Sequence, residues 1–253
     1  MELAFDDFGG QGKPILILHG LFGSSRNWRT VGRYLARYAH AYGLDLRNHG
    51  RSPSCESHTL ADLTGDVEQW VADHLVENPI LLGHSMGGIV GMAYSLSHPL
   101  QTAGLIVVDI APKVYHTGHS REIQALRLDI SSLRSRREID DRMKPLIPDA
   151  EVRRFLQTNA ERTDTGFRWR VNADALAGST VLSDVAGLEG TYEGRTLFVA
   201  GGASGYLTKE DLPRIRMFFP NAELRTVSGA GHWLHHTAAS EFEEILRDYF
   251  ISA

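Results

Sequence analysis

The chain has 253 residues and a mass of 28.1 kDa, with 42% hydrophobic and 23% charged residues and a net charge of -5. That is an ordinary globular composition, enough for one domain with an insertion or two small ones, and it lacks the basic footprint of a nucleic-acid-binding protein. One cysteine, Cys55, excludes an internal disulfide framework, and no apolar run approaches the ~20 residues needed to cross a bilayer.

The N-terminal residues Met1 to Asp7 lack the basic and apolar regions of a signal peptide, so a cytoplasmic protein is expected. Residues 2–8 suit a short edge strand ending at Gly9 and Gly10. Pro14 to Leu18 is a continuous apolar run, the pattern of a strand covered on both faces. It empties into His19-Gly20-Leu21-Phe22-Gly23. Trp28, Val31, Leu35 and Tyr38 then recur at helical spacing and predict a helix over roughly 26–38. The next strand is expected over Ala39 to Leu46, leaving through the turn-rich stretch Asp45 to Pro53.

Thr59 and Asp62 form a capping-box pair, and Leu63, Val67, Trp70, Val71 and Leu75 continue one apolar helix face. Ile80-Leu81-Leu82 reads as a buried strand, followed by Gly83-His84-Ser85-Met86-Gly87-Gly88 and a helix-compatible run to about His98. Gly104 to Val108 is another apolar strand, ending in Asp109-Ile110-Ala111-Pro112. This alternation of strand and helix argues for a mostly parallel sheet with helices on both faces.

The rhythm breaks over about 112–190, which holds scattered apolar residues among Arg, Asp and Glu and no clear buried strand. Several short amphipathic helices are expected there, as an insertion too long to be a connection. The rhythm resumes with a strand at Arg195 to Ala200, a helix over Thr208 to Phe218 capped by Thr208 and Asp211, and a strand over Ala222 to Val227. Phe242, Ile245, Leu246, Tyr249 and Phe250 mark a closing helix.

Strand, G-x-S-x-G turn and helix in that order are the context of a nucleophile elbow, with Ser85 at the strand tip and glycines permitting close approach around it. A serine hydroxyl needs a base, and the base needs a partner that fixes its tautomer. His232, in the Gly-rich loop between the last strand and the last helix, is the candidate base. His235 and His236 follow it without completing a metal-ligand pattern, so no metal is expected. His84 is expected to point off the far side of the turn in a structural role. No carboxylate follows the strand ending at Ala200 in the loop Gly201 to Leu207. Asp109, at the tip of the strand before the insertion, is therefore the favoured acid, with Glu210 and Asp211 as fallbacks. Two backbone donors should receive an oxyanion: Met86, just after the nucleophile, and Leu21, with Phe22 as the competitor for the second place.

Four motifs in this order resemble the α/β-hydrolase superfamily over essentially the whole chain. They are the oxyanion loop at His19 to Gly23, the D-x-R-x-x-G-x-S turn at Asp45 to Ser52, the elbow at Gly83 to Gly88, and the histidine loop at Gly231 to Trp233. The runs Leu21 to Trp28, Val108 to Pro112 and Phe167 to Asn172 are similar to those of the YbfF-type esterases and the abhydrolase-domain 11 proteins. That group carries its acid in the Asp-Ile-Ala-Pro segment, which supports Asp109. The resemblance implies a core of residues 1–111 and 191–253 and a helical cap of residues 112–190. It implies hydrolysis of esters or thioesters without a cofactor. A small-molecule acyl substrate and a monomer or homodimer are expected. Phe22, Trp169 and Trp233 are the candidate pocket residues. In the D-x-R-x-x-G-x-S turn, Asp45 and Arg47 are expected to hold the turn itself, with a ligand contact by Asn48 or His49 as the alternative. Carbon–carbon bond hydrolysis, perhydrolysis and a non-catalytic binding role on the same frame remain the alternatives.

Overall fold

The apolar runs become strands because each can bury both faces. The computed structural model describes residues 1–115 and 118–252. Its strands β1 (Phe5–Gly9), β2 (Pro14–Leu18), β3 (His40–Leu44), β4 (Ile80–His84), β5 (Gly104–Val108), β8 (Thr196–Gly201) and β9 (Ala222–Val227) form one sheet. The spatial order is β1-β3-β2-β4-β5-β8-β9, with β1 antiparallel to β3 and every other pair parallel. The remaining two strands, β6 (Ala160–Arg162) and β7 (Phe167–Trp169), form a separate antiparallel ribbon.

Alternate residues of each strand feed two different cores. Leu16, Leu18, Leu81, Leu105 and Val107 pack on one face, beneath α2 (Leu60–Asp73), α3 (Met86–Ser97) and α9 (Leu212–Phe218). Ile15, Ile17, Leu82, Ile106 and Val108 pack on the other, beneath α1 (Arg29–Leu35) and α11 (Ala239–Ile251). This is the two-sided burial that makes parallel strands read as continuous apolar runs. A short helix α10 (Leu234–Thr237) precedes α11.

Helix starts follow their expected caps. Thr59 accepts from the Asp62 N–H, and the Asp62 carboxylate returns to Thr59, so α2 begins where the capping box places it. The predicted helices over 26–38 and Thr208 to Phe218 each begin with a single 3₁₀ turn, so their α-helical parts are shorter than the periodicity suggests.

Between β5 and β8 the chain forms α4 (Ser120–Leu126), α5 (Arg136–Met143), α6 (Ala150–Leu156), the β6–β7 ribbon, α7 (Ala173–Ala177) and α8 (Val181–Asp184). The short helices match expectation; the ribbon does not, because strands of three residues leave no readable alternation. Ile123, Ile139, Met143, Leu156 and Phe167 of this segment form a third apolar cluster, into which Phe22 of the core inserts. Among the described residues no helix is long and apolar enough to cross a membrane.

Chain order runs outward from β2 to β3 and then reverses to β4 on the other side of β2. A crevice forms at such a switch point, outside the carboxyl ends of the strands. The register pairs Leu18 with Gly83 and His84 with Val108, so the loops after β2, β4 and β5 emerge side by side.

The turn after β3 is held by its own charges. Asp45 accepts from the N–H groups of Ser25 and Arg51. Arg47 makes a two-pronged pair with Asp66, 2.6 Å from Nε and 2.9 Å from Nη2, and both side chains are buried. These residues do what the turn motif predicts of them. The fold also buries neutral histidines. Burial, reinforced by Arg47, pushes His58 down to about 4. His235 lies flat against Trp28 with ring centroids 4.2 Å apart, and burial beside His232 pushes it down to about 3.

Two predictions follow from this packing. A Cβ at Gly87 would run into the carbonyls of Leu18 and His19, both rigid backbone. Gly87→Ala should therefore destabilise the protein by about 1–3 kcal/mol in urea unfolding. The second concerns pH. Unfolded histidines protonate near 6.5, whereas His58 and His235 stay neutral to about 4 and about 3. The unfolded state thus binds more protons in that window, and stability should fall as pH drops below 6.5, by up to about 1.4 kcal/mol per unit for each such histidine. Urea midpoints across the range should show the slope, and His58→Gln should flatten it.

Candidate active site

Ser85 stands between β4 and α3 with φ 51° and ψ -121°, a conformation costly for any residue with a side chain. Glycines make it possible. A Cβ on Gly83 would strike the backbone of Gly87, and one on Gly87 would strike that of Leu18. Ser85 N–H donates to the Val108 carbonyl at 3.0 Å, while the Ser85 carbonyl accepts from Gly88 and Ile89. The side chain is buried but lines a cavity. Met86 opens α3, so its N–H lies in the first turn, where backbone donors have no intrahelical partner and the helix dipole is positive.

Asp109 follows β5, also at positive φ, 52°. Its carboxylate is fully buried, and a buried charge requires hydrogen-bond partners. It has three: the Gly201 N–H at 2.9 Å, the Ser204 hydroxyl, and Nδ1 of His232 at 2.7 Å. The last residue of β8 and the loop after it, which lack a carboxylate, supply donors to this one instead. Asp211, the fallback, is engaged elsewhere: it pairs with Lys113 at 2.7 Å and caps Thr208.

His232 reaches this carboxylate across 123 residues of sequence. Its Nδ1 donates to Asp109, which leaves Nε2 as the nitrogen available to a neighbour. Tyr206 stacks on the ring with centroids 4.1 Å apart. His84 does not point off the far side of the turn. Its ring lines the same cavity as Ser85 and lies 4.6 Å from the His232 ring, and its Nε2 donates to the His232 carbonyl at 2.9 Å. The residue beside the serine thus fastens the histidine loop.

The loop after β2 also carries strain, with Phe22 at φ 62°. Phe22 N–H donates to Nε2 of His49 at 3.1 Å, so the competitor to Leu21 is already engaged. Among the described residues Leu21 N–H has no such partner. Of the six non-glycine residues with positive φ among those described, Phe22, Asn48, Ser85 and Asp109 lie in or beside these loops. Backbone strain therefore concentrates at this end of the sheet, as it does at functional sites generally.

Ser85, His232, Phe22 and Trp233 line one cavity of about 210 Å³, walled by Phe155 and Leu156 of the insertion. A second cavity of about 380 Å³ takes in Met86, Gln124, Arg127 and Ser179, and the two share Leu21, His119 and Leu182. Trp169 lines neither. Its indole donates to the Leu128 carbonyl at 2.9 Å and packs on the insertion's own core, which removes it from the pocket residues expected from sequence. Ser204, Tyr206 and Asn159 are not singled out as site residues by the sequence, and His49 enters there only as an alternative ligand contact. Only the missing carboxylate after Ala200 hinted that this loop serves Asp109 in another way.

The family model of the α/β-hydrolase fold matches residues 13–239. The sn-1-specific diacylglycerol lipase ABHD11 of Danio rerio is 34% identical over 256 residues, 96% of this chain and 80% of that protein. Esterase YbfF of Escherichia coli is 28% identical over 240 residues, 93% of this chain and 92% of that one. A solved structure, a marine microorganism esterase, superposes with a TM-score of 0.91 at 35% identity, covering 98% of both chains. Elbow, sheet order and sequence agree: the chain belongs to the α/β-hydrolase superfamily, in the group that includes ABHD11 and YbfF.

Proposed function

We propose that this protein is a carboxylic ester hydrolase that works through an acyl-serine intermediate. Its relatives named as lipase and esterase support the class of reaction. The observation that carries the mechanism is the buried Asp109 carboxylate bonded to Nδ1 of His232, whose ring lines the cavity that Ser85 lines.

In this reading Ser85 Oγ attacks the acyl carbonyl carbon while His232 Nε2 takes the hydroxyl proton. Asp109 holds the imidazole in the correct tautomer and stabilises the imidazolium. The N–H groups of Leu21 and Met86 receive the oxyanion. Collapse of the tetrahedral adduct breaks the bond to the leaving group, which takes the proton from His232. Water then attacks the acyl-serine with His232 again as base, releasing the acid and restoring the Ser85 hydroxyl. A thiol can leave by this route as an alcohol does, so acyl thioesters belong in the same test. Residues 112–190 act as a cap that keeps bulk water from the acyl group. The Ser85 cavity, at about 210 Å³, is smaller than the roughly 300–1,000 Å³ of sites for drug-sized ligands. It suits a short acyl chain, and a long one would need the adjoining cavity as well.

Chromogenic esters and CoA thioesters of increasing acyl length form the test, with hydrolysis fastest for short chains. Ser85→Ala should reduce turnover to background without moving the thermal midpoint by more than a few degrees; retained turnover would rule out the acyl-serine. Asp109→Asn should lower kcat by about four orders of magnitude, the size of a tautomer reversal in such a triad. An unchanged rate would remove Asp109 from it.

A further inference from the structure

The loop that would receive the oxyanion is pinned peptide by peptide. The Gly20 carbonyl accepts from Gly23 N–H and from Nδ1 of His19, both at 2.9 Å. A trans peptide holds its N–H opposite its carbonyl, so the Leu21 N–H is turned away from those donors. The next peptide is fixed by Phe22 N–H donating to Nε2 of His49 at 3.1 Å. The third is fixed by the Phe22 carbonyl, which accepts from Nδ2 of Asn159 at 2.8 Å.

Each pin has its own support. His49 donates Nδ1–H to the Arg47 carbonyl at 2.8 Å, which makes Nε2 the acceptor nitrogen, and burial holds the ring neutral. Asn159 is buried, and its amide also donates to the Leu156 carbonyl at 3.2 Å. Two different parts of the molecule therefore grip Phe22, at a residue whose φ of 62° would otherwise relax. His49 belongs to the turn after β3, and Asn159 to the insertion between β5 and β8.

We infer that His49 and Asn159 are positioning residues that aim the Leu21 N–H at the developing oxyanion, and that Asn159 makes this aim depend on the docked insertion. The inference rests on the ester-hydrolase reading above. Neither side chain need touch substrate. Their effect falls on the transition state, since donors must sit where the negative charge appears and a displacement of about 1 Å costs up to ~100-fold in rate. The insertion then does more than wall the pocket: undocked, it leaves the serine and histidine in place but loosens one oxyanion donor.

The experiment compares the full-length wild type with His49→Leu, His49→Gln, Asn159→Asp and Asn159→Ser. It measures kcat and KM on one chromogenic ester and the affinity of phenylboronic acid, which adds to the serine as an anionic tetrahedral boronate, the serine proton passing to His232, and places a boronate hydroxyl in the oxyanion position. His49→Leu and Asn159→Asp should lose about tenfold to a hundredfold in kcat with KM within about twofold, and boronate affinity should fall in parallel. His49→Gln places an amide oxygen near the lost Nε2 and should recover most of the rate. Should the buried aspartate prevent folding, the smaller, neutral Asn159→Ser should show the same kcat and boronate losses. A folded His49→Leu or Asn159 variant with wild-type kcat overturns the inference, as does a kcat loss without a loss of boronate affinity. These failures are distinct from that of the underlying reading: a wild type that hydrolyses no ester, or a Ser85→Ala variant that still does, defeats both.

Discussion

The backbone of Ser85 cannot relax, and the site depends on that. Its conformation, at φ 51° and ψ -121°, costs on the order of 1–3 kcal/mol. Close packing of β4 against α3 supplies the compensation, because Gly83 and Gly87 let strand and helix approach at distances a side chain would forbid. α3 is buried from Met86 to Leu96, on every face, so it has no freedom to swing the serine away. The hydroxyl and the first-turn N–H groups are thereby held in one geometry before any ligand arrives. On the proposed mechanism, little reorganisation then remains for the moment when charge develops.

The other parts are referred to this fixed point. Asp109 leaves β5, next to β4, and its carboxylate is held from behind by the end of β8 and the loop after it. His232 comes from the loop after β9, at the sheet's far edge, and is fastened twice: to Asp109 through Nδ1, and to His84 through its backbone carbonyl. The second bond matters because the loop has little apolar burial of its own. Its anchor is the residue immediately before Ser85, so the His232 loop and the Ser85 turn share one local frame.

Much of this was legible in the sequence because it depends on local patterns. Apolar runs gave the parallel strands, and glycines flanking Ser85 gave the elbow. The absence of a carboxylate in Gly201 to Leu207 directed attention to Asp109, whose side chain the structure joins to His232. What was not legible depends on contacts between distant segments. Asn159 meets Phe22 across 137 residues, and no periodicity encodes that. Trp169 lies in a three-residue strand, too short to show which face turns inward, and its indole went to the Leu128 carbonyl instead of the cavity. His84 has the structural role expected of it, but the direction of its ring is not legible, because a turn's sequence says little of where a ring points once a second loop folds over it.

The seam between insertion and core also limits how this scaffold can be altered. Beyond the Asn159 contact, Asn172 N–H donates to the Asn48 carbonyl at 2.9 Å and its side-chain amide to Asn48 Oδ1 at 3.1 Å. Asn48 itself sits at φ 66°. The two stitches join the insertion to two strained backbone residues of the core. An engineer transplanting a foreign insertion to change substrate preference could rewrite the apolar walls freely, yet would have to carry both asparagines across, or the chimera would inherit the new pocket with two slackened core loops.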